Sequence, residues 1–105
     1  MTHDEILNSL KAKKVFKIHL SGWKMLALLG SRSFVPWDNI YTALWPEPDL
    51  EPGSPERAAQ KYLHLVRAQL EPYGITVLNS HGKGNYIPRA QQVTLHGLIQ
   101  KFENS

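Results

Sequence analysis

The chain has 105 residues, 42% hydrophobic and 20% charged, with no cysteine. That composition fits one compact domain with one core and excludes a disordered chain, a disulfide framework and a thiolate zinc site. The net charge of +3 is unevenly placed: residues 1–45 carry six bases and three acids, residues 46–56 four acids and no base, residues 57–105 six bases and two acids, the pattern of a basic working surface interrupted by an acidic loop.

Thr2 and Glu5 are spaced for a capping box, and Ile6, Leu7 and Leu10 fall on one side of a short helix ending near Lys11, Lys13 and Lys14. Residues 15–20 alternate Phe16, Ile18 and Leu20 with Lys17 and His19, which predicts a short half-buried strand. Ser21 is placed to cap a core helix carrying Trp23, Met25, Leu26, Leu28 and Leu29, with Gly30 as its left-handed stop. After a connector over 31–35, Pro36 opens a helix through Ile40, Tyr41, Leu44 and Trp45, which Pro46 ends. Residues 46–55 hold four of the seven prolines and three acids, and read as a loop.

Ser54, with Pro55 and Glu56 behind it, starts a helix expected to run to about Glu71. Residues 75–80, the turn Gly82-Lys83-Gly84 and residues 85–87 form a hairpin with a basic tip. Val93, Leu95, Leu98, Ile99 and Phe102 make the apolar stripe of a C-terminal helix.

On a helical wheel, residues 54–71 gather Ala59, Tyr62, Leu63, Val66 and Leu70 on one stripe, which faces the core. The opposite side carries Arg57, Gln60, Lys61, His64 and Ala68, with Arg67 on its flank. Arg and Gln side chains can read base edges, and Lys or His can neutralise phosphate, so this face suits a DNA major groove. A helix pair, a basic helix and a hairpin in that order are the arrangement of a winged helix-turn-helix protein, with His81 and Lys83 at the wing tip. The expected fold is therefore α+β: a winged helix-turn-helix with a three-helix core, a β-hairpin wing and extra terminal helices.

The stretch 20–87 resembles the OmpR/PhoB-type winged helix-turn-helix. That family's Leu-Thr-x-x-Glu-x-x-Leu-Leu helix is similar to residues 20–29, Leu-Ser-Gly-Trp-Lys-Met-Leu-Ala-Leu-Leu. Its Val-Ser-Arg-x-x-Leu-x-x-x-Val-Trp helix resembles residues 35–45, Val-Pro-Trp-Asp-Asn-Ile-Tyr-Thr-Ala-Leu-Trp. Val66-Arg67-Ala68-Gln69-Leu70-Glu71-Pro72 and His81-Gly82-Lys83-Gly84-Asn85-Tyr86-Ile87 resemble the end of its recognition helix and its wing. The resemblance implies a bacterial or phage-type transcription regulator that binds specific double-stranded DNA, with helix 54–71 in the major groove and wing 81–86 at the adjacent minor groove or phosphates. It places Arg57, Ala58, Lys61, Tyr62 and His64 at base-reading positions, Arg67 near phosphate and Lys83 in the wing. Loop 46–53 stands where family members touch RNA polymerase.

The chain departs from the family in Trp37, where an arginine is common, in Asn85 for the wing tyrosine and in His81 for a wing arginine. No receiver domain is expected within its 105 residues. One domain over 1–105 is expected: an N-terminal helix and short strand over 1–19, the core over 20–87 and a C-terminal helix over 88–105 that is a candidate for a homodimer contact. The rival reading is a winged-helix module that binds protein and not DNA.

The five histidines show no paired metal-ligand spacing, and neither the serines nor the acids form a catalytic setting, so no enzyme activity, metal or cofactor is expected. No apolar run approaches the roughly 20 residues that span a bilayer, and the segment Met1-Thr2-His3-Asp4-Glu5 does not read as a secretory signal. A cytoplasmic protein without a membrane partner is expected.

Overall fold

The predicted capping box forms. Thr2 Oγ1 accepts from the Glu5 amide at 3.2 Å and the Glu5 carboxylate accepts from the Thr2 amide at 3.0 Å, which starts helix α1 (His3–Leu7). The chain breaks at Asn8–Ser9 and continues as α2 (Leu10–Val15), so the N-terminal helix is two short helices. The computed structural model describes residues 1–105, apart from the side chain at position 48.

The predicted strand over 15–20 does not form. Val15 ends α2, and residues 16–19 have no sheet partner; the Ile18 amide instead turns back to the Phe16 carbonyl at 2.9 Å. Phe16 explains this: its side chain is only 1% exposed and packs against three rings, Trp23 at 6.3 Å, Tyr73 at 5.6 Å and Phe102 at 5.7 Å between centroids. Beside it the Lys17 amide donates to the Gln69 side chain, so this segment is tied to a helix and not to a strand edge.

Helix α3 (Leu20–Ser31) is the centre of the fold. His19, not Ser21, occupies its N-cap position. The helix passes through Gly30, which is helical and has no room for a side chain: a Cβ there would lie 2.9 Å from Ile6 and 3.1 Å from Leu95. Gly30 is thus a packing glycine where α1 and the last helix close on α3. The end of α3 is capped from a distance, with Gln92 Nε2 donating to the carbonyls of Leu29 at 2.9 Å and Arg32 at 2.6 Å.

Val35, the last residue of the expected connector, and Pro36, expected as the first helical residue, form strand β1 (Val35–Pro36), followed at once by α4 (Trp37–Leu44) with Pro36 at its N-cap position. The acidic loop contains one 3-10 turn, Pro48–Leu50. Helix α5 (Pro55–Leu70) starts with Ser54 in the cap position and Pro55 in the first turn, and a 3-10 turn, Glu71–Tyr73, closes it against Gly74 at φ 73. The first hairpin strand is shorter than expected, β2 (Leu78–Asn79), because Ile75 and Val77 are buried before pairing begins, while the second, β3 (Gly84–Tyr86), keeps its three-residue length one position earlier.

The result is an α+β domain, mostly helical, with a three-stranded antiparallel sheet in the order β1-β3-β2. Val35 pairs with Asn85 and Leu78 with Tyr86. Helix α6 (Arg89–Glu103) packs on α2 and α3 through buried Leu95 and Ile99, while Val93, expected on that stripe, is 66% exposed. Each large apolar side chain buried in this way contributes about 1.5–3 kcal/mol, so Ile6, Phe16, Leu95 and Ile99 make the terminal helices part of the core. Among the described residues, no helix is long and apolar enough to cross a membrane.

Candidate nucleic-acid interface

Ala59, Leu63, Val66 and Leu70 bury one side of α5 against α3 and α4, which fixes the rotation of the helix. Arg57, Gln60, Lys61, His64 and Ala68 are consequently all exposed on the other side. At 1.5 Å per residue this face is roughly 16 Å long, about half a turn of B-form duplex. Among the described residues, Arg57, Lys61 and His64 have no salt bridge to an Asp or Glu side chain, so this face carries no short-range compensating acid.

Three expected contact residues are placed differently. Ala58 is half-buried at the margin of the face, and Tyr62 is half-buried with its ring edge-on to His19 at 6.2 Å. Arg67 is turned away from the face to the hairpin: its Nε donates to the Val77 carbonyl at 3.1 Å. That bond makes Arg67 a strut between α5 and the strand entry.

The β2–β3 turn presents His81 and Lys83, both exposed. His81 stands at φ 50 and Gly82 at φ 74, the positive pair that a primed hairpin turn demands. The Lys83 amide donates to the Ser80 carbonyl at 2.9 Å, and its own carbonyl accepts from the Trp37 amide at 3.3 Å. The β2–β3 turn is therefore joined to the first turn of α4, which in turn packs on α5. Asn79, not singled out in the sequence, receives the Gly82 amide on its Oδ1 at 2.8 Å. An Asn just ahead of a His-Gly turn is the signal that could have marked it.

Beside this basic region lies a different surface. Trp37, Tyr41 and Trp45 stack in a half-buried ladder, with centroids 5.9 and 6.4 Å apart. Burial, with the carboxylates of Glu56 and Asp38 adding to it, raises the Tyr41 phenol above its ordinary value of 10.0. Glu47, Asp49 and Glu51 of the following loop are exposed. No family model, curated protein or solved structure matches the chain.

Proposed function

We propose that the chain is a winged helix-turn-helix regulator that binds specific duplex DNA, with α5 in the major groove and the β2–β3 turn at the adjacent minor groove or phosphates. The exposed face of Arg57, Gln60, Lys61 and His64, free of carboxylate partners, carries this reading. The order of helix, short strand, two helices and hairpin supports it. In the proposal Arg57 and Gln60 read base edges, Lys61 and His64 sit at the groove, and His81 and Lys83 meet the neighbouring backbone.

The exposed acids of loop 46–53 support RNA polymerase as a protein partner there. A homodimer through α6 has little to build on, because the helix spends its apolar side on α2 and α3. The stacked ladder of Trp37, Tyr41 and Trp45 is the observation that favours the rival, a protein-binding module.

Selection from random duplexes, followed by titration of the selected site, separates the two readings. DNA binding through four or so phosphates falls steeply with added salt. Replacing Arg57, Lys61 and His64 together by Ala is expected to abolish specific binding while the circular dichroism spectrum is unchanged. A folded triple mutant that binds like the wild type rejects this face.

A further inference from the structure

His81 holds a left-handed backbone, which a residue with a Cβ keeps only when its surroundings demand it. Asn79 supplies that demand. Its Oδ1 takes the Gly82 amide at 2.8 Å, and its Nδ2 is aimed at the Asn85 side-chain oxygen at 3.4 Å. Asn85 is fully buried in β3 opposite Val35, and its Nδ2 has no hydrogen-bond partner among the described residues. A buried amide with an unused donor lowers stability relative to an apolar side chain of similar size. The gain that offsets it lies in the next residue along the chain of amides, the orientation of Asn79 and through it the turn.

We infer that Asn79, oriented by Asn85, is a positioning residue that sets the β2–β3 turn so that Lys83 and His81 meet a nucleic-acid phosphate together. The inference rests on the DNA-binding reading above. Asn79 itself touches no ligand in this scheme. It acts through the Gly82 amide, while the Lys83 backbone is pinned from the other side by Trp37.

The test compares the wild type, Asn79→Ala, Lys83→Ala and the double variant on the selected duplex over a range of salt concentrations. Each single change is expected to lower the slope of log K against log salt by about one unit. The double change is expected to lower it by about one unit and not two, because Lys83 no longer reaches its phosphate once Asn79 is gone. Additive losses, or a wild-type slope in Asn79→Ala, overturn the inference while leaving the DNA reading intact. A wild-type protein that binds no duplex overturns both.

Asn85→Val provides a second arm that does not depend on a weakened fold. It is expected to raise the urea midpoint and yet lower the salt slope, two changes that a purely structural role would not separate. A higher midpoint with an unchanged slope overturns the part assigned to Asn85.

Discussion

Gly84 in β3 lies opposite Pro36 in β1, so near that a Cβ on Gly84 would overlap the Val35 carbonyl oxygen and sit 2.9 Å from the Pro36 Cα. Both obstacles are backbone, which cannot swing aside as a side-chain end can. Gly84→Ala is therefore expected to cost about 2–3 kcal/mol, as overpacking does, by prising β1 from β3. Urea unfolding should show a lower midpoint with an unchanged m-value. The Trp37 bond to the Lys83 carbonyl is adjacent, so its amide resonance should shift as well.

Arg67→Ala removes the donor from the Val77 carbonyl. Losing one such bond costs about 1–2 kcal/mol. The salt dependence of DNA binding should keep its wild-type slope, since Arg67 is spent on the hairpin. A slope lower by a full unit would restore Arg67 to the phosphate contacts.

Glu5 provides a pH-dependent signal. The bond from the Thr2 amide, followed by that from the Thr2 hydroxyl region, holds its carboxyl below the ordinary 4.5. A depressed acid favours the folded form above the unfolded value and loses that contribution as pH falls through the folded one. The start of α1 is thus expected to fray as pH drops below 4.5, with the Thr2 and Glu5 amide resonances moving together. Glu5→Gln should remove the titration.

Tyr41 works in the opposite pH range. Its raised phenol favours the folded form below 10.0, and stability should decline as pH rises through the folded value. Burial is the largest cause, with Glu56 second, so Glu56→Gln should lower the titration midpoint only in part. Ultraviolet difference titration of the tyrosines measures it.

The helices were legible because their signals are local. Pro55 after Ser54, and apolar residues at 59, 63, 66 and 70, define both the start and the buried side of α5 without reference to any other segment. The same spacing leaves Arg57, Gln60, Lys61 and His64 outside. What failed depends on residues far along the chain. β1 is two residues long and exists only through Gly84 and Asn85, some fifty positions later. The alternation at 16–20 looks like a strand, yet Phe16 answers to Trp23, Tyr73 and Phe102. The bond from Arg67 to the Val77 carbonyl could not be read in advance, because the position of Val77 is set by how the chain returns after Gly74.

The capping of α3 by Gln92, and the seat of Leu95 on Gly30, have a bearing on biosynthesis. A ribosome delivers residues in order, and α3 emerges more than sixty positions before the side chains that finish it. Until α6 has followed, a nascent chain keeps the flank of α3 wet and its last carbonyls bonded to water. The last turn of α3 is thereby completed only by residues made after it.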